Sequence, residues 1–368
     1  MKINILTINI QNKLSFINHA ISLKSQIPIL LNVLLETQDG SLKISSTDLE
    51  IGIEVFVPAT IEEEGSITVP AKTFIELISS ISEETITLET DKETLTVKSK
   101  KTKSLFQTIK SDEFPKLYKE KGEKLVTLQE EEIQKDFSSV IFAAATDTTR
   151  PALSGVLVKN EESGFLLVAT DGYRLSLKHH KTLSKSTASN NIIVPARVFK
   201  ELMSIKEESH DIEVFTSVES SQVIFSQGKT TLIGRLIEGA FPNYEKIIPT
   251  DFSTSAEFDR EEMQKAVKIC SIFARDSANI IKLSLKKDHI VVSSQSPSIG
   301  ENTVTVEGIL KGEENEIAFN ARYLQDLLSG LSNNEMVFEM TGPLNPGVFK
   351  IKDDISYLHL IMPVRVQG

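Results

Sequence analysis

The sequence predicts an α+β fold made of three tandem repeats, each with two helices and roughly eight short strands. Two kinds of segment recur at intervals near 125 residues, and the stretches between them alternate apolar and polar residues as strands do. The length of 368 residues also exceeds the size at which one hydrophobic core usually stops growing. We therefore expect three domains, at residues 1–121, 122–249 and 250–368.

The first recurring segment is ten residues long and starts at Val69, Val194 and Phe319, with an interval of 125 residues each time. Two copies carry a proline where a helix would begin, and all three then place apolar residues three and four positions apart. Each copy is thus predicted to be an amphipathic helix. A basic residue occurs on the first turn of each copy, away from the apolar stripe: Lys72, Arg197 and Arg322.

A second landmark follows an apolar run in each repeat: Thr47-Asp48-Leu49, Thr170-Asp171-Gly172 and Ser294-Gln295. A further helix is predicted near the start of each repeat, over residues 11–23, 130–145 and 259–275. The third of these helices has basic residues on one face: Lys265, Lys268 and Arg275. Alternation from Leu49 to Val57 predicts a strand, and residues 222–234 predict a hairpin that turns at Gln227-Gly228-Lys229.

Charge and cysteine content limit the possible classes of protein. Forty basic and 51 acidic residues give a net charge of −11, which argues against a protein that coats nucleic acid by bulk electrostatics. The single cysteine, Cys270, excludes an intramolecular disulfide and is predicted to be a small buried hydrophobe on a helix. The first ten residues carry no export signal and no stretch approaches about 18 apolar residues, so a cytoplasmic location without membrane contact is predicted.

Repeated units can associate with their neighbours through one kind of contact. A head-to-tail contact closes into a ring when its rotation divides a full turn. If the helices of every unit face the same way, the basic first-turn residues line the inside and the acidic surplus lies outside. A basic interior would reconcile the negative net charge with non-specific binding to DNA phosphates. Helices that cross the phosphate backbones, rather than entering a groove, would let the duplex slide.

Four segments resemble a known family: Thr170-Asp171-Gly172-Tyr173-Arg174-Leu175, Gly239-Ala240-Phe241-Pro242-Asn243-Tyr244, Arg150-Pro151-Ala152-Leu153-Ser154-Gly155 and Met362-Pro363-Val364-Arg365. Together with the three repeats they make the chain similar, from Met1 to Arg365, to the bacterial beta sliding clamps of DNA polymerase III. The resemblance implies a non-catalytic processivity subunit for DNA replication that needs neither cofactor nor metal. It also implies a head-to-tail homodimer, in which six domains form a closed ring around double-stranded DNA with helices inside and sheets outside.

The resemblance further implies protein partners. A clamp loader driven by ATP opens such rings, and the loader, the replicative DNA polymerase with its 3′–5′ exonuclease partner, and repair proteins bind a cleft near the second and third domains through short linear motifs. The residues of this chain that correspond to the cleft are Arg150, Leu153, Thr170, Gly172, Tyr173, Arg174, Leu175, Pro242, Lys246, Ile247, Asn320, Tyr323, Met362, Pro363, Val364 and Arg365. An apolar subset suits hydrophobic anchors and would serve equally as ordinary core: Leu153, Leu175, Pro242, Ile247 and Met362.

The resemblance also assigns residues to DNA and to the contact between subunits. The DNA-binding residues are Lys24, Lys72, Arg197 and, by its helical position, Lys200. The subunit contact places Phe106 against Ile272 and Phe273. Two departures from the family stand out. Pro151-Ala152 replaces a pair that is aromatic in some relatives and contacts DNA there, and Gln367-Gly368 extends past the usual end at the mouth of the cleft.

The residues alone leave two other classes of protein open. An enzyme could use Asp171 beside Tyr173, or the pair His179-His180, but the chain has no phosphate-binding glycine loop, zinc-binding His-Glu-x-x-His helix, nucleophile turn or cysteine cluster. The histidine pair lies in a polar stretch and is predicted to be a solvated loop, and Asp171-Gly172 is predicted to be a turn at a strand end. A strand-rich scaffold that binds no nucleic acid would fit the net charge.

Overall fold

The structure is a computed structural model that describes residues 1–22, 24–147, 149–182, 191–217 and 220–365. Within these ranges one motif occurs six times: a strand, a helix and three further strands. The sequence predicted two helices in each of three repeats, and these are confirmed. The half-repeat that relates the two copies inside each repeat was not predicted.

The first copy comprises β1 (Lys2–Leu6), α1 (Thr7–Ile17), β2 (Asn32–Gln38), β3 (Ser41–Thr47) and β4 (Ile51–Pro58), and a short β5 (Thr60–Glu63) follows. The second copy comprises β6 (Ser66–Pro70), α2 (Ala71–Ser80), β7 (Thr85–Asp91), β8 (Thr94–Lys98) and β9 (Lys103–Gln107). The third copy comprises β10 (Glu123–Gln129), α3 (Glu130–Ile141), β11 (Gly155–Glu161), β12 (Gly164–Thr170) and β13 (Arg174–Lys181).

The fourth copy comprises β14 (Ile192–Pro195), α4 (Ala196–Leu202), β15 (Asp211–Ser217), β16 (Gln222–Gln227) and β17 (Thr230–Arg235). The fifth copy comprises β18 (Thr254–Asp259), α5 (Arg260–Ala274), β19 (Ile280–Leu285), β20 (His289–Ser296) and β21 (Gly300–Gly312). The sixth copy comprises β22 (Asn315–Asn320), α6 (Ala321–Gly330), β23 (Glu335–Met340), β24 (Gly347–Ile351) and β25 (Asp354–Ile361).

Each helix follows directly from a strand, and at α5 and α6 the side chain of the last strand residue caps the helix. The Asp259 side chain accepts the Glu262 N–H at 2.9 Å ahead of α5, and the Asn320 side chain accepts the Arg322 N–H at 2.9 Å ahead of α6. Pro70 is an extended residue at the end of β6, so the helix begins one position after the proline. Among the recurring segments, Asn320 caps its helix with a side chain, whereas Pro70 makes no such hydrogen bond.

Two predicted helices have different bounds in the structure. The helix expected over residues 11–23 is α1, which starts four residues earlier because the Thr7 N–H is bonded to the Glu84 carbonyl at 2.9 Å. Its buried stripe comprises Ile10, Leu14 and Ile17, and the helix ends where that stripe ends. The helix expected over residues 130–145 also ends early, at Ile141. The helix expected over residues 259–275 agrees with α5 to one residue at each end.

The strands form two compact units. Met1–Glu130 and Arg197–Leu236 hold a five-stranded sheet in the order β5-β1-β7-β8-β9 and an eight-stranded sheet in the order β10-β15-β16-β17-β4-β3-β2-β6. The eight-stranded sheet crosses from the first repeat into the second because β4 pairs with β17, with Ile51 opposite Gly234. Its two halves are therefore one continuous hydrogen-bonded layer.

The second unit contains Glu131–Ala196 and the chain from Ile237 onward. Its twelve strands run in the order β14-β11-β12-β13-β25-β24-β23-β18-β21-β20-β19-β22. Here β13 pairs with β25, and Arg174 lies opposite Ile361, so this sheet likewise crosses from one repeat into the next. Each junction joins the third strand after one helix to the last strand of the following repeat.

The prediction of a solvated loop at His179-His180 is wrong. Both residues lie on β13, and His180 is buried, stacked on Phe165, with its Nδ1 2.7 Å from Asp136 Oδ2. The strand tolerates polar residues here because their side chains find charged partners inside the fold. Within the described ranges, no three His, Cys, Asp or Glu side chains group as metal ligands would.

The structure also tests the predictions for Cys270, the second hairpin and the third landmark. Cys270 is buried, as predicted, and burial raises the pKa of its thiol to about 11. The hairpin over residues 222–234 is β16 and β17. The landmark Ser294-Gln295 lies inside β20 rather than in a turn, because that hairpin stays paired as far as Ser296 and Gly300. No helix in the part of the chain that the structure describes is long and apolar enough to cross a membrane.

Candidate functional site

The turn between β12 and β13 is held by its own side chains. Thr170 Oγ1 accepts the Gly172 N–H at 3.0 Å and donates to the Arg174 carbonyl at 2.6 Å. Asp171 Oδ1 accepts the N–H groups of Tyr173 and Arg174 at 2.9 and 3.0 Å. Gly172 has a φ of +93°, a conformation that favours glycine. The predicted turn is thus confirmed, and it leaves Tyr173 61% exposed.

Arg174 is buried beside this turn and forms the base of the site, which we call the Arg174 floor. Its buried guanidinium donates to Asp171 Oδ2 at 3.1 Å and to Asp326 Oδ2 at 2.7 Å. It also lies over the rings of Tyr323 and Phe142, at 4.6 and 5.6 Å from their centroids. Burial, and then the nearby Asp171 carboxylate, raise the pKa of Tyr323. A buried charge paired twice fixes the position of its neighbours.

The C-terminal segment is fixed next to the same turn. The Met362 N–H donates to the Tyr173 carbonyl at 2.8 Å, and the Val364 N–H donates to the Ala318 carbonyl at 2.8 Å. Met362 is exposed at this point. Arg150 Nη2 donates to the Asp171 carbonyl at 3.1 Å, which places a basic side chain on the other side of the turn.

A second wall comes from the segment after β17. Tyr244 is buried in the same hydrophobic cluster as Leu175, and Phe241 packs edge-on against it with ring centroids 6.3 Å apart. Burial raises the pKa of the Tyr244 hydroxyl. A cavity of about 350 Å³ lies against this segment, lined in part by Phe241 and Pro242. Ile247 and Lys246 are exposed farther along.

The apolar set predicted for the cleft divides into two groups. Leu153 and Leu175 are buried and belong to the core. Ile247, Pro242 and Met362 are exposed and offer apolar surface to solvent. The buried pair fits the interpretation as ordinary core, and the assignment of the exposed three to a cleft stays a prediction. Asn320, also predicted here, caps α6 with its side chain.

Two residues that the sequence did not single out belong to this region. Asp326 on α6 holds Arg174 from a second side, and its only sequence signal is its place on the polar face of an amphipathic helix. His359 on β25 is fully buried, and its ring lies 5.2 Å from that of Phe142. Neither of its ring nitrogens has a hydrogen-bond partner among the described residues.

We expect His359 to make folding sensitive to acid. Burial, reinforced by the charge of Arg174, holds the pKa of His359 well below its usual value, so the folded protein keeps it neutral. Below about pH 6.5 only the unfolded chain gains this proton, and the free energy of unfolding should fall by about 1.4 kcal/mol per pH unit. His359→Leu should remove that slope in urea unfolding measured between pH 5 and 8. The half-exposed His289→Leu is the control, and an equal pH slope in wild type and His359→Leu would refute the expectation.

The predicted DNA-binding residues all lie in the unit of Met1–Glu130 and Arg197–Leu236, and all are exposed. Lys72 is on the first turn of α2, as predicted. Arg197 is on the first turn of α4, and it is not free: Nη1 donates to Asp48 Oδ2 at 2.6 Å and Nη2 donates to the His19 carbonyl at 2.8 Å. A phosphate would have to compete with Asp48 for this guanidinium.

The residues predicted for the subunit contact lie on two different elements. Phe106 on β9 faces inward and packs against Phe74, with ring centroids 6.0 Å apart. Its neighbour Leu105 faces the other way and is 61% exposed. On α5, Ile272 is 55% exposed and Phe273 is half-buried. Leu105 was not singled out from the sequence, and it lies on the opposite face of the strand from Phe106 because successive strand residues point to opposite faces.

Comparison with known proteins follows the three repeats. Residues 1–118 match the family profile described as DNA polymerase III beta subunit, N-terminal domain. Residues 127–243 match its central domain, and residues 245–365 match its C-terminal domain. The fold is therefore the three-domain fold of sliding clamps. The chain belongs to the DNA polymerase III beta subunit family, as the resemblance in its sequence indicated.

Individual relatives agree along almost the whole chain. The beta sliding clamp of Bacillus subtilis (strain 168) is 30% identical over 361 residues, which cover 94% of both chains. The beta sliding clamp of Staphylococcus aureus (strain Mu50) is 29% identical over 358 residues, with the same coverage. The crystal structure of the Bacillus subtilis DNA polymerase sliding clamp matches all of both chains with a TM-score of 0.95 at 28% identity.

Proposed function

We propose that two copies of this chain close head to tail into a ring around duplex DNA and act as a processivity clamp. The main support for this proposal is the pattern of strand pairing at the junctions between repeats. In both junctions, the third strand after a repeat's first helix pairs with the last strand of the next repeat: β4 with β17, and β13 with β25. The same pattern predicts a third junction, between β21 and β9.

Both strands of that third junction have an available edge among the described strands. β9 ends the five-stranded sheet. On β21, residues from Gly300 to Glu307 pair with β20, and β18 pairs only with the later residues from Gly308 to Gly312. In the dimer, β9 of each copy would pair with β21 of the other copy. Two identical contacts close the assembly, because both copies of β9 and both copies of β21 are then paired.

Within this ring, the three domains of each chain span residues 1–121, 122–249 and 250–368, with helices inside and sheets outside. Lys24, Lys72, Arg197 and Lys200 would contact phosphates without reading sequence. The cleft around Tyr173, built on the Arg174 floor, would take short linear motifs of the replicative polymerase, the clamp loader and repair proteins. We infer that the protein performs no catalysis itself and works in the cytoplasm.

Exchanging Lys24, Lys72 and Arg197 together for glutamate should weaken retention on DNA while leaving the dimer intact. Each phosphate contact contributes about 0.9 to the slope of log affinity against log salt. Each of the three residues occurs twice in the ring, so the variant should lose six contacts and the slope should fall by roughly 5.4. The measurement is the half-life of the loaded ring on nicked circular DNA at several salt concentrations. Linearised DNA should release both proteins quickly, because a topological ring slides off free ends.

The matched control reverses three exposed lysines that are not assigned to DNA: Lys100, Lys119 and Lys287. It changes the net charge by the same amount, so it separates local contacts from bulk repulsion. Equal retention of the two triple variants would overturn the DNA contacts. Equal retention of wild type on circular and linear DNA would overturn the ring and favour a scaffold that does not encircle nucleic acid.

A further inference from the structure

A second pocket occurs where β4 meets β17, within one compact unit. It encloses about 190 Å³, and its apolar lining comprises Leu49, Ile51, Pro115, Leu117 and Ile233. Pockets for drug-sized ligands usually measure about 300–1,000 Å³. This pocket is smaller, so it suits one or two side chains of a larger partner.

The backbone around this pocket repeats that of the cleft around Tyr173. The Arg235 N–H donates to the Glu50 carbonyl at 2.9 Å, just as the Met362 N–H donates to the Tyr173 carbonyl at 2.8 Å. Both hydrogen bonds occur at the point where the two strands of a junction end. Arg235 thus occupies the place of Met362.

The turn at the pocket has the same hydrogen bonds as the turn in the cleft. Thr47 Oγ1 accepts the Leu49 N–H at 3.0 Å and donates to the Ile51 carbonyl at 2.9 Å. Asp48 Oδ1 accepts the N–H groups of Glu50 and Ile51 at 3.0 and 2.8 Å. These bonds match those made by Thr170 and Asp171.

The wall of the pocket is also a repeat. Phe114-Pro115 precedes Leu117 as Phe241-Pro242 precedes Tyr244. Leu117 packs over Gly52, where a Cβ atom would lie only 3.2 Å from its methyl carbons. Its carbonyl accepts the Gln222 side-chain N–H at 2.7 Å, which fixes the wall to β16. The pocket is therefore held open by packed structure.

Leu49 stands where the cleft has Gly172. It adopts a φ of +76°, although an amino acid with a side chain rarely does so, and that side chain is 49% exposed. Strained residues of this kind concentrate at ligand-binding positions because the fold must hold them there. At this position a glycine would relieve the strain, whereas the leucine presents an exposed apolar side chain beside the pocket.

The polar groups of the pocket indicate what kind of occupant fits. Ser220 Oγ and Gln222 Oε1 are buried and have no hydrogen-bond partner among the described residues. Both oxygens can accept from the N–H groups of an extended backbone. Lys116 and Arg235 are exposed at the rim, and neither has an ion pair within the described ranges. Their charges favour a carboxylate.

We propose, building on the peptide cleft proposed above, that this pocket is a second peptide site on each chain. Its ligand would be an extended segment of a partner protein with one aliphatic or aromatic anchor next to an acidic residue. The anchor enters between Leu49 and Leu117, the backbone donates to the two buried oxygens, and the acidic side chain pairs with Lys116 or Arg235. A partner with two such segments could hold the chain at both sites at once.

The test uses the full-length dimer and a ten-residue peptide of aspartate, leucine and phenylalanine that carries a benzophenone photo-crosslinker. Cross-linked residues are mapped by mass spectrometry. We expect cross-links at Pro115 to Leu117 or at Ile233 to Arg235. The double variant Lys116→Glu, Arg235→Glu should reduce them about tenfold, and so should Leu49→Gly, which also should not lower the melting temperature.

The double variant Lys100→Glu, Lys119→Glu is the matched control, and cross-links at Tyr173 or Met362 report the proposed cleft separately. Cross-links only at the cleft would overturn the second site and leave the proposed function standing. Cross-links at the pocket that persist in both pocket variants would also overturn the second site. Cross-links at neither place would overturn both peptide sites, and cross-links at the pocket alone would overturn only the cleft.

Discussion

Replacing Leu105 and Ile272 together by aspartate should convert the dimer into monomers that no longer stay on circular DNA. Both side chains are more than half exposed in the single chain: Leu105 lies on β9, and Ile272 lies on α5, which packs against β21. Residues at the centre of an interface typically cost about 2 kcal/mol or more when truncated. Two of them would then weaken each of the two subunit contacts by about a thousandfold, and the introduced carboxylates would have to be desolvated as well.

Sedimentation at micromolar concentration measures this change directly, and retention on nicked circular DNA measures its consequence. The control is Ile355→Asp, which makes the same kind of exchange at one fully exposed isoleucine on β25. A double variant that remains a dimer would show that β9 and α5 do not form the contact. A monomer that still stays on circular DNA would show that topology is not what holds it there.

Removing the chain after Ile361 should abolish binding of partner peptides while the ring stays assembled. The cut follows the last residue of β25 that pairs with β13, so the sheet remains complete. What is lost is the segment fixed to the turn by the Met362 N–H and to β22 by the Val364 N–H. We expect affinity to fall by at least about a hundredfold, since an apolar anchor and a wall of the cleft disappear together.

Fluorescence polarisation with a labelled peptide from a polymerase partner measures the affinity, and sedimentation measures assembly. Ile309→Ala serves as the control, because Ile309 is an equally apolar, exposed residue in the same compact unit. Full affinity after truncation would place the cleft elsewhere. The role of Gln367-Gly368 at its mouth stays a prediction, since these residues lie outside the described ranges.

Much of the fold could be predicted because the chain repeats itself. The segments at Val69, Val194 and Phe319 mark three of the six strand-to-helix junctions, and the cap at Asn320 is a local hydrogen bond. The two motifs within each repeat were not predicted, because they share a pattern of elements rather than residue identity. Helix length was overestimated at Ile17 because apolar periodicity alone does not show where packing stops.

In the candidate sites, only the parts formed by neighbouring residues could be predicted from the sequence. The turn at Thr170 and Asp171 is encoded by its own side chains, so the sequence identified it. The partners of Arg174 and Arg197 were not predicted, because Asp326 and Asp48 are distant in sequence. His180 was misplaced for the same reason, since its partner Asp136 lies on the preceding helix rather than beside it.

The sequence by itself determined the three repeats, the caps and turns, and the basic first-turn residues, because each depends on groups a few positions apart. Only the tertiary structure decided which strands join at the repeat junctions, which charges are paired, and which edges are left available. Those outcomes depend on backbone groups and side chains that are far apart in sequence. The hydrogen bonds between strands join backbone groups, which are the same in nearly every residue, so the sequence does not show which strands pair.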